Sequence, residues 1–195
     1  MRNAGTVGGN IANGSPIGDM PPMLIALGTR IMLKKGDEQR DLFLEDYFID
    51  YGKQDRKPGE LLWRIDIPKL KSNERFFAHK LSKRFDQDIS AVMAAFKFVI
   101  SGRTIASATL AFGGMAATPK RAKAVEAALI GKPWSEATIE AAVPSFADDF
   151  KPIGDMRASA SYRLLVAQNL LRRCFHERQH GLGETRLAGR GAVIA

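Results

Sequence analysis

The sequence predicts an α+β protein organised as two units, residues 1–70 and 74–177. Alternating apolar and polar residues predict strands in the first unit, most clearly over residues 61–67. Two long, mostly apolar segments on either side of residues 101–102 predict a β-hairpin at the start of the second unit. Apolar residues at helical spacing then predict the helices that close this unit.

The composition excludes several classes of protein. Hydrophobic residues make up 45% of the 195 positions and charged residues 26%, and no run approaches the roughly 18 apolar residues of a membrane span. A single cysteine, Cys174, cannot form an internal disulfide, and without a Cys-x-x-Cys motif no zinc or iron–sulfur site is expected in this chain. A reducing cytoplasm is therefore the expected compartment.

The net charge of +8 comes from basic residues that are spread along the chain. No zinc finger, RNP aromatic pair or other nucleic-acid signature accompanies them, so we expect neither a nucleic-acid partner nor a membrane partner.

The first unit begins with a glycine-rich and asparagine-rich stretch before a short helix over residues 19–28. A strand over 30–35 and a returning strand over 39–42 follow, and breakers mark a turn-like stretch over 46–59. The strand over residues 61–67 alternates. Its two predicted faces are Leu61, Trp63, Ile65 and Ile67 on one side and Leu62, Arg64 and Asp66 on the other.

The second unit follows a mostly polar linker over residues 69–75. Its hairpin has predicted strands at 90–100 and 103–113, and Thr118-Pro119 is expected to cap and open a helix. Another helix starts at Ser135 and is interrupted at Pro144. The longest helix, over 159–175, has a predicted buried stripe, and a tail without periodicity covers 178–195. The members of the stripe are Leu164, Leu165, Leu171 and Phe175.

The glycine-rich start has two interpretations on pattern alone. It lacks the Gly-Lys-Ser/Thr of a Walker loop and the Gly-x-Gly-x-x-Gly dinucleotide turn after a strand. A tight turn could need these glycines, or their bare backbone N–H groups could converge on an anion.

The wider sequence resembles a known family. Arg2-Asn3-x-x-Thr6-Val7-Gly8-Gly9-Asn10-Ile11 resembles the second cofactor loop of the flavin-binding domain in molybdenum hydroxylases of the xanthine dehydrogenase type. Four further stretches agree in order: Phe48-x-x-Tyr51-x-Lys53, Ile65-Asp66-Ile67-Pro68, Lys80-Leu81-Ser82-Lys83-Arg84-x-Asp86-x-Asp88, and Phe112-Gly113-Gly114-Met115-Ala116. The resemblance implies the second subdomain of a two-loop FAD-binding domain, followed by a CO dehydrogenase flavoprotein-like domain with a β-hairpin sheet packed on a helix bundle.

The resemblance also implies a function. In such enzymes a molybdenum cofactor oxidises the substrate, [2Fe-2S] clusters relay the electrons, and FAD passes them to NAD. It implies that this chain binds FAD, while a molybdenum-binding large subunit and an iron–sulfur domain hold the other cofactors. Two alternatives are a subunit-docking module without flavin and the flavoprotein part of an aldehyde, CO or other N-heterocycle hydroxylase.

The family's first glycine-rich loop and its cluster-binding cysteines are not found in this sequence. We therefore expect the C-terminal part of a longer subunit, inactive alone. We also expect self-association through an apolar face that includes whichever of Leu24, Ile31 and Leu33 points at the missing half.

Site residues are assigned by the same resemblance. The predicted second loop consists of Thr6, Val7, Gly8, Gly9 and Asn10. Asp19 matches an acidic residue that contacts the cofactor, although it could instead be the N-cap of the following helix. Leu62 matches a position that borders the isoalloxazine, Lys80 matches a lysine near the flavin, and Tyr51 either lies near the nicotinamide path or simply packs.

No catalytic or metal-binding residue is predicted. His79, His176 and His180 have no convincing metal-ligand partners, and Cys174 is expected in the core. The acidic pairs Asp86/Asp88 and Asp148/Asp149 are expected to be turn or cap residues. Where family members often have Tyr-Arg-Lys, this chain has Gly52 between Tyr51 and Lys53, so no arginine is assigned there.

Overall fold

The structure is a computed structural model that describes residues 5–84, 87–181 and 185. Arg2, Asn3, Asp86 and the tail apart from residues 178–181 and Thr185 lie outside this part of the chain. Within it, no helix is long and apolar enough to cross a membrane.

The first unit combines short helices with small antiparallel sheets. One sheet has the order β2-β1-β5, and a second, two-stranded sheet pairs β3 with β4. The helices are α1 (Val7–Ala12), α2 (Met20–Leu27) and α3 (Leu44–Tyr47). The strands are β1 (Arg30–Lys35), β2 (Glu38–Phe43), β3 (Phe48–Asp50), β4 (Lys53–Gln54) and β5 (Leu61–Asp66).

The second unit is a four-stranded antiparallel sheet, in the order β6-β7-β8-β9, packed on helices. Its strands are β6 (Glu74–Leu81), β7 (Val92–Ser101), β8 (Thr104–Gly113) and β9 (Lys120–Arg121). Its helices are α4 (Lys123–Leu129), α5 (Glu136–Ala142), α6 (Phe146–Asp149) and α7 (Ala160–His180), with a 3-10 turn at Val143–Ser145. The predicted α+β class and the long hairpin are confirmed.

The sheet of the second unit is covered on both faces. Phe96 and Phe112 belong to the core that this sheet forms with α4 to α7. Ala95 and Ala111 point the other way and belong to the core of the first unit, against which α2 packs. These two alanines of the hairpin therefore have a structural role, because small side chains let α2 approach the sheet closely.

Strand β6 was missed, and the predicted linker over 69–75 overlaps its first two residues. Phe76 packs against the core of the first unit and Phe77 against the core of the second. Because both faces of this sheet are covered, successive residues can both be apolar, and the alternation that identifies a strand is lost.

Strand β5 departs from its predicted faces. The register against β1 shifts between Met32 and Leu33, so that Leu33 pairs with Leu62, and Met32 pairs with Arg64. Trp63 has no partner across this β-bulge and is 58% exposed, with the Lys34 ammonium 4.8 Å from its ring centroid. The bulge changes the phase of the strand, so Leu62 and Ile65 both pack on the core.

Four further expectations were wrong. The segment after Thr118-Pro119 forms β9 before α4 begins at Lys123, because residues 120–121 pair with β8. Helix α7 continues to His180, three residues into the predicted tail, and Leu165 is half exposed rather than part of the buried stripe. None of Leu24, Ile31 and Leu33 can belong to an exposed apolar face, because all three are buried in the core of the first unit.

Candidate functional site

The glycine-rich start forms the first turns of α1. Thr6 is extended, with φ −122° and ψ 152°, and its side-chain oxygen accepts a hydrogen bond from the N–H of Gly9 at 2.9 Å. The Thr6 carbonyl accepts the N–H of Asn10 at 3.1 Å. No described residue accepts the N–H groups of Val7 and Gly8, and the Val7 side chain is exposed. The segment is therefore a capped, open helix start, the arrangement that favours an anion.

Two other predicted residues lie near this helix start. A Cβ added at Gly8 would lie 3.9 Å from a Leu62 methyl carbon, so the glycine is next to β5. A Cβ added at Gly18 would lie 3.4 Å from the Asn10 side-chain oxygen, so the loop before α2 is next to α1. The fold therefore places the glycine-rich segment between Leu62 and the loop that leads to Asp19.

Asp19 and Lys80 are 61 positions apart in the sequence but form an ion pair. Lys80 Nζ donates to Asp19 Oδ2 at 2.8 Å, and the Ser90 hydroxyl donates to Asp19 Oδ1. Asp19 occupies the N-cap position of α2 but makes no capping hydrogen bond. An N-cap side chain accepts from the second or third helical N–H, and here those positions are Pro21 and Pro22, which have none. The capping role considered for Asp19 is therefore wrong.

Tyr51 lies at a different opening, which we call the inter-unit cleft. Its volume is about 600 Å³. Tyr51 is 73% exposed, so the alternative that it simply packs is not supported. The lining residues come from both units: Ser15, Pro16, Ile17, Tyr51, Gly114, Ala116, Ala117, Lys151, Ile153, Asp155, Arg157 and Arg163.

Arg163 holds this region together and was missed by sequence reasoning. Its side chain is 2% exposed, and its guanidinium donates to the carbonyls of Ala91 and Gly114 and, at 2.6 Å, to Asp155. The N–H of Gly114 in turn donates to the Pro16 carbonyl at 2.7 Å. The available signal in the sequence was an arginine flanked by the apolar residues of the longest helix. Such a position predicts a buried cation, and a buried cation needs hydrogen-bond acceptors.

The histidines and the cysteine contribute to packing. His79 is buried with its Nε2 3.4 Å from Glu177 Oε2, and burial lowers the pKa of His79. Cys174 is fully buried in the core of the second unit, as expected, and this burial raises the pKa of its thiol. His176 and His180 stack on each other along α7. The described part of the chain contains no group of three or more His, Cys, Asp or Glu residues that could hold a metal ion.

The residues gathered at α1 fit a flavin dinucleotide. An open helix start suits phosphate oxygens, a carboxylate suits ribityl hydroxyls, and Leu62 offers apolar surface to a ring. Lys80 adds a cation, 41% exposed, beside the same loop.

Comparison with known proteins also indicates an FAD-binding domain. Residues 1–70 match the FAD binding domain in molybdopterin dehydrogenase, and residues 77–178 match the CO dehydrogenase flavoprotein C-terminal domain. The chain is 34% identical to nicotinate hydroxylase of Emericella nidulans, with 94% of the chain and 14% of that protein covered. It is 31% identical to the glyceraldehyde dehydrogenase medium chain of Sulfolobus acidocaldarius, with 91% of the chain and 62% of that protein covered.

Among solved structures, carbon monoxide dehydrogenase from Hydrogenophaga pseudoflava superimposes with a TM-score of 0.83. The identity is 28%, with 88% of this chain and 60% of that chain covered. The chain thus spans less than two thirds of these relatives.

The fold and the site define a flavin-binding class of protein. More particularly, the chain belongs to the CO dehydrogenase flavoprotein family of the molybdenum hydroxylases, with an FAD-binding domain ahead of the family's C-terminal domain. The predicted family, the fold class and FAD as the cofactor of this domain are confirmed.

Proposed function

We propose that the chain holds FAD and transfers electrons in a molybdenum hydroxylase of the xanthine dehydrogenase type. In this proposal the electrons arrive from [2Fe-2S] clusters and leave to NAD. The molybdenum-binding large subunit and the iron–sulfur domain are its partners. The observation that carries the proposal is the convergence of Thr6–Asn10, Leu62, Asp19 and Lys80 on one surface from four separate segments.

Each residue has a task in this proposal. The N–H groups of Val7 and Gly8 bind the dinucleotide phosphates. Thr6 caps the helix by accepting the N–H of Gly9, which leaves the N–H groups of Val7 and Gly8 open to the ligand. Asp19 orients the ribityl chain, and Leu62 borders the ring. Bound FAD would supply a centre that accepts electrons singly from a cluster, takes up a proton, and delivers the electron pair with that proton as hydride. Lys80 favours the reduced, more negative ring.

The inter-unit cleft supports NAD as the acceptor. Tyr51 offers an exposed aromatic ring, and Lys151 and Arg157 offer positive charge where a dinucleotide brings phosphates. Because the cleft shares residues 15–17 with the loop that carries Asp19, an acceptor bound there would lie next to the flavin region.

A docking module without flavin is a second candidate. Exposed apolar side chains on the first sheet favour it, since Phe43, Leu61 and Trp63 are each about half exposed. The same surface could support self-association.

The substrate stays open among xanthine, aldehydes, CO and other N-heterocycles, because in this proposal the substrate site belongs to the large subunit. We also propose a reducing cytoplasmic setting, in keeping with the single buried thiol.

The flavin content of the assembled enzyme tests the proposal. We expect a yellow complex whose FAD content falls in Asp19→Ala but not in Asp37→Ala, a matched aspartate exposed in the β1–β2 turn. The chain by itself should bind FAD more weakly than micromolar, because the family grips the dinucleotide with two glycine-rich loops. A colourless complex that still assembles with its partners would contradict the proposal and favour the docking module.

A further inference from the structure

Ser90 has a buried hydroxyl that, among the described residues, has one polar partner. The residue is 1% exposed, and its Oγ donates to Asp19 Oδ1 across the boundary between the two units. The other carboxylate oxygen of Asp19 accepts from Lys80 at 2.8 Å. The two bonds come from different strand ends and hold both oxygens of one side chain.

The position of Asp19 depends on these two bonds to an unusual degree. A carboxylate at the start of a helix is normally fixed by backbone N–H groups of its own first turn. Pro21 and Pro22 remove those donors, and the carboxylate forms no capping bond. Because the carboxylate is 35% exposed, it would be free to rotate into solvent without Ser90 and Lys80.

Ser90 itself is held rigidly by the next residue. The N–H of Ala91 donates to the Leu81 carbonyl at 2.8 Å, and the Ala91 carbonyl accepts from the buried Arg163. The Ser90 hydroxyl therefore projects from a backbone that is fixed immediately after it, where β7 begins. A rigid donor aimed at a carboxylate with few other restraints determines where that carboxylate lies.

We infer that Ser90 is a positioning residue for the flavin site, which acts by orienting Asp19 and thereby the charge balance at Lys80. The inference rests on the proposed function, because it needs Asp19 and Lys80 to face bound FAD. Without the Ser90 hydroxyl, Asp19 is misplaced and its pairing with Lys80 loosens. The flavin then loses a well-placed carboxylate and meets a less neutralised ammonium.

This role predicts two effects of Ser90→Ala in the FAD-loaded, complete enzyme. The FAD dissociation constant should rise about five- to tenfold, as expected for one lost hydrogen bond to a charged group. The flavin midpoint potential should move to more positive values, because a less neutralised Lys80 favours the reduced ring. Lys80→Met should move it in the opposite direction. Ser82→Ala is the matched control, since that hydroxyl binds the Arg84 carbonyl at 2.8 Å and not Asp19.

A double-mutant cycle separates positioning from a general structural role. If Ser90 acts through Asp19, Ser90→Ala should change FAD affinity less than twofold in an Asp19→Ala background. An undiminished effect in that background, or wild-type affinity and potential in Ser90→Ala alone, would overturn the inference. Ser90→Cys, nearly isosteric but a weak donor, should give an intermediate affinity and replaces Ser90→Ala if that variant does not assemble.

The same variants distinguish the two proposals. Wild-type FAD affinity in Asp19→Ala, together with an unchanged flavin potential in Lys80→Met, would refute the flavin site itself, and the inference with it. Weaker FAD binding in Asp19→Ala and a lower potential in Lys80→Met, with no effect of Ser90→Ala, would leave the flavin site in place and refute only the role of Ser90.

Discussion

At the scale of single residues, Lys80 is the clearest candidate for tuning the flavin. In the complete enzyme, Lys80→Met should lower the flavin reduction potential while FAD stays bound, because it removes an ammonium that favours the reduced ring. An interaction of about 1 kcal/mol corresponds to roughly 20 mV for a two-electron couple, and the partial exposure of Lys80 makes this an upper value. Redox titration measures the shift, and Lys71→Met on the exposed segment before β6 is the control. An unchanged potential would make Lys80 an ordinary surface residue.

Glycines at positions 8 and 9 test the helix start. Gly9→Val should abolish flavin retention, because a Cβ there would lie 2.9 Å from the Thr6 side-chain oxygen and disturb the cap. Gly8→Val should also lose flavin for a different reason. Its Cβ meets Leu62 at an ordinary 3.9 Å, so the fold survives, but the branched side chain covers the open N–H groups.

Absorbance of the purified complex reports flavin retention in these glycine variants. Thermal unfolding of the second unit, which should not change, is the internal control. Neither glycine has a positive φ, so the requirement is for open space rather than for an unusual backbone conformation. Normal flavin content in both variants would refute the assignment of this segment.

At the scale of elements, Arg40 on β2 fastens the segment between β4 and β5. Its guanidinium donates to both carboxylate oxygens of Glu60, at 2.7 and 2.8 Å, and to Asp55 at 2.9 Å. The hydrogen bonds from Arg40 lower the pKa of Glu60 from 4.5 to about 2. This contact therefore stabilises the fold fully above pH 4.5, and the contribution is lost as the pH falls from 4.5 towards 2.

Removing the cation tests this linkage. Arg40→Met should lower the free energy of unfolding at pH 7 by about 2 kcal/mol, the scale of hydrogen bonds to charged groups. It should also flatten the loss of stability between pH 4.5 and 2. Urea unfolding across this pH range measures both effects. Arg64→Met, which breaks the half-exposed pair with Asp66, should change stability much less. An unaltered pH profile in Arg40→Met would contradict the linkage.

At the scale of the whole molecule, the two units share a core boundary but are joined by exposed chain. Residues 66–73 are all exposed, whereas α2 packs on Ala95 and Ala111 of the second sheet. We predict that limited trypsin digestion cuts first at Lys69 or Lys71, with a further cut after residue 178. Residues 74–177 should remain as a folded fragment, because this unit has its own hydrophobic core. Removal of the first unit would expose mainly small side chains on the outer face of its sheet. Cleavage spread evenly through 80–170 would contradict this prediction.

The sequence by itself determined the elements that depend on local chemistry. Ser135 and Ser159 cap α5 and α7, Gly28 ends α2 in a left-handed conformation, and Ser101-Gly102 turns the hairpin. Each of these signals involves residues within a few positions of one another, so no tertiary information is needed. The resemblance to the flavoprotein family was local in the same sense, because its motifs are short and ordered. The proline pair after Asp19 was a local signal as well, although its consequence was missed.

Only the tertiary structure decided the features that join distant segments. Asp149 caps α4, because its carboxylate accepts the N–H groups of Ala124 and Val125. The sequence predicted that Asp149 is a turn or cap residue, but it could not show which helix is capped. Strand β6 could not be recognised from the sequence, because both faces of its sheet are covered and its residues therefore do not alternate between apolar and polar. That coverage depends on where α2 packs. Asp19, Lys80 and Ser90 meet only because the loop before α2 packs where β6 ends and β7 begins. Periodicity and caps report on neighbours along the chain, whereas a binding surface is assembled from segments that only packing brings together.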